Sequence, residues 1–431
     1  MGLAGGRAAV LAHYLATRSR RFADREELLA WQRPRLARAL RRAVRFPRYA
    51  DLAGAGLDGV RLEDFPVLDK PAWLADFDGL NTRGLSLADC LAAARDAEAG
   101  RSFDTRLDGL AVGLSSGTSG SQAAFLTSAA ERARWAGTML ARALPEGLSG
   151  GARVALVLRA GGPLYDAVGG GRVSFRFVDL YDALERQAAA LVEFAPTVLA
   201  APPVLLDLLA AERTAGRLPI APRLVYSIAD VLDPDVAGRV AAGFGVTVGQ
   251  IYQATEGFLG ITCAAGTLHL NEDLLLFEDE PAGPGRFVPV VTDLFRTSQA
   301  VVRYRMGDVL VASAGPCGCG SPLRPVAAVE GRSDDVLLLG RGGRVAPCFA
   351  DLVRGAVLGA GAGDFQVVQG DAGDLVLAVA GDGWEAARDA LAAALARAGF
   401  DLPRIDRGDY LAPAVGQKRR RVRRESSARD G

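Results

Sequence analysis

Between residues 153 and 228 the chain repeats one pattern: a short apolar run, a helical stretch, then another short apolar run. The runs at 153–158, 173–178, 198–200 and 224–228 read as strands, with helices at 183–194 and 203–211 between some of them. Short apolar runs joined through helices are the mark of parallel strands buried on both faces. The expectation is an α/β layered domain, and in such domains ligands collect at the carboxyl ends of the strands. Two unusual loops, near Ser115 and Thr255, occupy that kind of position.

Residues 107–114 read as another short buried strand and 125–144 as a helix. The basic run 27–49 has apolar residues at helical spacing and is interrupted at Pro34, so it reads as a pair of amphipathic helices capping the main domain. From Gly331 the texture changes to a strand at 336–339, a helix near 349–358, strands at 365–368 and 375–379, and a helix at 384–398. That order predicts a small α+β domain, which divides the chain into 1–330 and 331–431. The arginine-rich end reads as disordered after Val422.

Lysine and arginine together number 50, as do aspartate and glutamate, so the charge selects neither nucleic acid nor an anionic membrane as partner. No segment offers the ~18 uninterrupted apolar residues of a membrane span, and the first residues lack a signal-peptide pattern. A cytoplasmic protein is expected, monomeric or homodimeric. Five cysteines without an export signal do not form a disulfide framework.

The segment Ser115, Ser116, Gly117, Thr118, Ser119, Gly120 combines glycines, which permit tight turning, with hydroxyl donors, a pairing suited to phosphate oxygens. It lacks the Gly-Lys-Ser/Thr ending of the common nucleoside-triphosphatase loop, and Ser/Gly loops also occur as plain connections. Four more motifs follow in order: YQATEG at 252–257, VRYRMGD at 302–308, GRSDDVLLLGRGGR at 331–344 and PAVGQKRRR at 413–421. Together the five resemble the adenylate-forming superfamily, and within it the phenylacetate-CoA ligase and coenzyme F synthetase-like proteins. The resemblance covers essentially the whole chain. It departs at Ser121 and Gln122, where Lys-Pro is common in the family.

The resemblance implies a role for each motif. Residues 115–120 would cradle the ATP phosphates, Tyr252 would lie by the adenine or acyl pocket, and Thr255 by the α-phosphate. Glu256 would hold Mg²⁺, a hard cation that takes carboxylate oxygens. Asp308 would accept the ribose hydroxyls, with Arg305 near it and Arg332 at the domain boundary, and Asp334 would be the hinge of a mobile C-terminal domain. Lys418 would reach the carboxylate and α-phosphate. Taken singly, Glu256 also reads as a helix cap, Asp308 as a turn residue, the arginines as surface pairs, and 418–424 as a solvated basic tail in which Arg419 competes with Lys418.

Cys263, His269, Cys317 and Cys319 supply three thiolates and an imidazole, a complete tetrahedral set with no open position. Reduced, unpaired cysteines are the other reading. A similar Cys/His arrangement in the resembling subgroup implies structural Zn²⁺. His13 reads as structural or exposed.

The expected activity is ATP-dependent adenylylation of a small, aromatic or apolar carboxylic acid with release of pyrophosphate, followed by transfer to CoA. Competing readings are adenylylation of a hydroxyl or other oxyanion without thioester formation, and transfer to a carrier protein or an amine. A different class, a non-catalytic nucleotide-binding scaffold, would have lost Glu256, Asp308 or the C-terminal lysine, and all three positions are filled.

Overall fold

A computed structural model describes residues 3–55, 59–100, 105–114, 123–158, 172–332, 336–370, 373–412 and 419–425. The chain divides into two compact units. The first comprises Met1–Glu280, Pro289–Met306 and Ala312–Ala328; the second comprises Pro281–Val288, Gly307–Val311 and Val329–Gly431.

In the first unit the strands Val173–Asp179, Ala152–Leu158, Val198–Ala201, Leu224–Ser227 and Val248–Ala254 lie side by side in that order, all parallel. Their side chains alternate between faces, as the two-residue period of a strand requires. Ala152, Leu156, Val198, Ala200 and Tyr226 pack with Tyr14, Ala136, Met139 and Leu140 on one face. Ala155, Val157, Leu199, Ala201 and Val225 pack with Leu191, Leu206, Leu209, Val240 and Phe244 on the other. The parallel α/β layering expected from the apolar runs is thus present, with both faces covered.

The helix Leu3–Ser19 lies directly on the helix Ala129–Ala143. A Cβ at Gly137 would stand 2.5 Å from the Val10 carbonyl oxygen, so only glycine permits this approach. Residues 125–144 are not one helix: Ala124–Thr127 is a strand, and Ser128 caps the helix by accepting from the Glu131 N–H while Glu131 accepts from the Ser128 N–H. The pair of helices expected around Pro34 is instead one continuous helix, Arg25–Ala43, followed by the 3₁₀ turn Pro47–Ala55. Pro34 and Ala30 are both exposed, so water can take the place of the hydrogen bond that proline removes.

The Arg25–Ala43 helix is anchored by a buried polar triplet. Asn271, Glu272 and Asp273 are each at most 2% exposed. Asp273 accepts from Arg20 and Arg142, each at 2.5 Å. Arg25 grips Glu272 with both guanidinium NH₂ groups, and the Arg324 N–H adds a third donor at 2.7 Å. Gln32 donates to the Glu272 carbonyl at 2.6 Å and the Trp31 indole to the Asp273 carbonyl at 3.1 Å. Burial alone would raise the Asp273 carboxyl, but the two guanidiniums outweigh it and hold the carboxyl below its ordinary value.

In the second unit, strands Ile405–Arg407, Leu375–Val379, Phe365–Gln369 and Val422–Arg424 form a sheet in that order. The helices Ala350–Gly359 and Trp384–Arg397 share its core through Val353, Val357, Ala387, Leu391 and Leu395. Arg423 and Arg424 differ from the expected disorder after Val422, because Val422–Arg424 pairs in parallel with Phe365–Gln369; residues 426–431 lie outside the described residues. Among the described residues no helix is long and apolar enough to cross a membrane.

Candidate functional site

The strand Val248–Ala254 is parallel to its neighbour on one side and turns back on the other into the antiparallel strand Gly257–Thr262. Thr255 and Glu256 are the two residues of that turn, with Ala254 paired to Gly257. The turn therefore sits at the carboxyl edge of the parallel sheet, where such folds bind ligands. Glu256 does not cap a helix, because the chain leaves it as a strand. Tyr252 lies at a register shift two residues before the turn's base and is 9% exposed. The neighbouring Gln253 accepts from the Trp135 indole at 3.0 Å.

Below the turn lies a second segment, Asp293 to Gln299. Arg296 donates to the carbonyls of Thr255 at 2.8 Å and Glu256 at 3.4 Å, and with its other NH₂ group to the Leu126 carbonyl at 3.2 Å and Gln299 Oε1 at 3.0 Å. Leu126 lies on the strand Ala124–Thr127, whose partner is Leu110–Leu114 with Leu114 opposite Ala124. Those two strands are the stems of the Ser/Gly segment.

Glu131 holds the same segment from the helix side. Its Oε1 accepts from the Thr297 N–H at 2.5 Å and the Ser298 N–H at 2.9 Å, and the Ser298 hydroxyl lies 2.7 Å from Oε2. Burial would raise this carboxyl, but the N–H of Ser128, the Ser298 hydroxyl, the Thr297 N–H and the Arg296 charge bring it from 4.5 down to about 2. A depressed carboxyl contributes stability that is complete above its unfolded value and is lost as pH falls through its folded one. Glu131→Gln is therefore expected to lower stability at pH 7 by about 2–3 kcal/mol. The gap should narrow below about pH 4.5 and close near pH 2; urea melts at pH 7 and pH 3 measure it.

The remaining expected ATP-site residues are distributed as follows. Arg305 ends the short strand Tyr304–Arg305 and pairs with Glu280 at 2.5 Å, as a half-exposed ion pair. Asp308 begins the strand Asp308–Ala312 and belongs to the second unit. Arg332 ends the strand Pro325–Arg332, its side chain lying outside the described residues. Ser115, Ser116, Gly117, Thr118, Ser119, Gly120, Asp334 and Lys418 also lie outside them. The residues following Lys418 are described: Arg421, 4% exposed, donates to Asp364 at 2.7 Å, and Arg419 stands 3.4 Å from the same carboxylate. At Arg421, then, the basic run is buried and paired rather than solvated.

The cysteine and histidine set is brought together from two stretches of sequence, with Cys263 and Cys317 separated by 54 positions. Cys263 follows the strand Gly257–Thr262, His269 is central in the strand Leu268–Leu270, and Cys317 and Cys319 come from a turn closed by the Gly320 N–H to the Cys317 carbonyl. All four ligand atoms lie within 4.8 Å of one another. Cys263 Sγ and Cys317 Sγ are 3.7 Å apart, and Cys319 Sγ is 3.4 Å from His269 Nε2. A tetrahedral ion with bonds of ~2.3 Å to sulfur and ~2.0 Å to nitrogen has edges of about 3.5–3.8 Å, so the donor set fits one. His269 Nδ1 lies 2.7 Å from the Leu323 carbonyl; as the donor there, it leaves Nε2 to face the sulfurs. Hydrogen bonding from Thr267 and the Cys319 N–H brings the Cys317 thiol down to about 6, whereas burial pushes Cys319 up to about 11. A bound cation would draw both into the thiolate form.

Arg296 and Glu131 escaped the sequence reading. Ser128-x-x-Glu131 was the available signal for Glu131, since it is a capping-box pattern before a helical run. Arg296 acts through backbone carbonyls and leaves no residue-type signature.

No protein-family model matches the chain, and no curated protein matches it by sequence. Solved structures do match. A 2-hydroxyisobutyryl-CoA ligase in the postadenylation state, in complex with R3-HIB-AMP, aligns with a TM-score of 0.63 at 18% identity, covering 94% of this chain and 90% of that one. The amide bond synthetase McbA from Marinactinospora thermotolerans aligns at 0.52 with 13% identity over 73% of this chain and 69% of its own. ATP-bound MatB from Rhodopseudomonas palustris aligns at 0.51 with 15% identity over 74% and 68%. With its two-faced parallel sheet, its antiparallel continuation through Thr255–Glu256 and its smaller α+β unit, the chain has the fold of the adenylate-forming enzymes.

Proposed function

We propose that this protein transfers AMP from ATP to a carboxylate oxygen of a small acid, releasing pyrophosphate, and then passes the acyl group to CoA. The observation that carries the reading is the Thr255–Glu256 turn, held at the carboxyl edge of the parallel sheet in a fold shared with a ligase captured with an adenylate. A carboxylate is already nucleophilic, so the protein's task is to align it with the α-phosphate and to stabilise the charge that develops. Thr255 would contact the α-phosphate and Glu256 would hold Mg²⁺, which when bound would neutralise phosphate charge. The Ser115–Gly120 segment holds the phosphates, Asp308 the ribose and Lys418 the reacting oxygens, with Asp334 as the hinge of the smaller unit. Support for these residue roles comes from the order of the five motifs in the sequence.

The test is ATP–pyrophosphate exchange against a panel of aryl, fatty and amino acids and of hydroxyl substrates, followed by CoA addition with mass detection. Exchange with an acid and a thioester product supports the whole reading. Exchange only with hydroxyl substrates would replace the acid, and exchange without a thioester would replace CoA with another acceptor.

The Cys263, His269, Cys317 and Cys319 cluster is proposed to hold a structural Zn²⁺, since four protein donors leave no position for substrate. Metal analysis of purified protein is expected to find one zinc per chain, and Cys317→Ser to lose most of it. Active protein free of zinc would remove the proposal.

A further inference from the structure

The Thr255–Glu256 turn is unusual in where its backbone carbonyls go. In a two-residue hairpin the tip carbonyls ordinarily face water, leaving the tip free to rock about its base. Here both accept from one guanidinium group, Arg296 NH1, at 2.8 and 3.4 Å. The same side chain reaches the Leu126 carbonyl at 3.2 Å through NH2, on the strand that leaves the Ser/Gly segment. A planar fork with fixed donor directions spans those acceptors in a way a lysine ammonium does not.

Arg296 is itself fixed from both sides. Its N–H donates to Asp293 Oδ1 at 2.9 Å, together with the Phe295 N–H at 2.7 Å. The next two residues, Thr297 and Ser298, are clamped by Glu131. Gln299, fully buried, repeats the link to the loop stem by accepting from the Leu126 N–H at 3.1 Å. Leu126 thus has both its backbone groups tied to the segment that carries the guanidinium.

We propose that Arg296 is a positioning residue: by holding the Thr255 and Glu256 carbonyls and the Leu126 carbonyl on one guanidinium group, it fixes the turn relative to the stem of the Ser/Gly segment. The proposal rests on the adenylylation reading for its kinetic consequence, and on geometry alone for its structural one. Fixing the carbonyls fixes the directions in which the Thr255 and Glu256 side chains leave the backbone. A displacement of ~1 Å at reacting groups costs about 10²-fold in rate, so the brace acts on turnover more than on substrate affinity.

The experiment compares wild type, Arg296→Lys and Arg296→Met by ATP–pyrophosphate exchange per folded protein and by amide hydrogen exchange. Arg296→Met is expected to lower kcat roughly 10- to 100-fold, to raise the Mg²⁺ concentration for half-maximal rate several-fold, and to leave the KM for the acid within about twofold. Arg296→Lys should recover part of kcat. In the Met variant, amides of 253–258 and 124–127 should lose protection together while those of 198–201 stay unchanged. Unchanged kcat and Mg²⁺ dependence, or loss of protection spread evenly over the first unit, would overturn the proposal. Absence of exchange activity in the wild type would count against the adenylylation reading, and paired loss of protection at the two segments would still test the brace. If the Met variant fails to fold, the Lys variant carries both readouts, and wild-type values in it overturn the proposal.

Discussion

Glu256→Ala is expected to reduce ATP–pyrophosphate exchange by on the order of 10²-fold or more while leaving the unfolding midpoint within experimental error of wild type. The stability half of this expectation follows from where the residue sits. Glu256 lies at the tip of a two-residue turn, partly exposed and outside both flanking strands. The turn is held by its carbonyls, which the substitution keeps. A group that contributes little to the fold and is presented at the ligand edge of a sheet should act in chemistry or not at all. Equal exchange by the variant and the wild type would remove Glu256 from the site, and a large drop in midpoint would make its role structural.

The largest effect on stability should come from Asp273→Asn. The substitution keeps the shape but removes the charge that faces Arg20 and Arg142, whose side chains are only 13% and 14% exposed. Breaking a buried pair from one side leaves uncompensated charge behind, at a cost of about 3–5 kcal/mol. Denaturant midpoints at pH 7 measure the loss. Because the Asp273 carboxyl is held below its ordinary value, the difference from wild type should shrink as acid protonates it. Glu212→Gln, at an exposed pair with Arg217, is the control and should leave the midpoint unchanged. A small effect for Asp273→Asn would mean that the triplet adjusts or admits water.

The same contrast explains what the sequence could reveal. Strand runs such as 153–158 and 224–228 were legible because burial on both faces demands continuous apolar residues, and no polar competitor disguises the period. The cysteine and histidine cluster was legible from its donor set together with the resemblance, although its members arrive from a hairpin and a separate turn. The helix around Pro34 was misjudged because the local rule for proline cannot see that Leu28 and Leu40 are buried or that Trp31 and Gln32 bond to residues 272 and 273. Tertiary anchoring outweighs the lost hydrogen bond there. At 125–144 the helical period was real from Ala129 onward, and three strand residues ahead of the cap, Phe125 to Thr127, were absorbed into it. The burial of Asn271, Glu272 and Asp273 left no signal in the sequence, since nothing local tells a buried acidic residue from a solvated one. Arg296 was hidden for a related reason: its partners are main-chain oxygens, which every residue possesses.

The buried triplet also constrains the order in which the molecule can be assembled. Arg20, Arg25, Trp31 and Gln32 meet their partners 253, 247, 242 and 240 residues further along the chain. During synthesis these four side chains leave the ribosome long before residues 272 and 273, the partners they are paired with in the fold. At roughly 5–20 residues per second, that leaves a basic, amphipathic segment waiting for on the order of ten seconds or more. Closing so long a loop is a slow step in folding, so the Arg25–Ala43 helix gains its buried polar anchor only after the chain through Asp273 is in place.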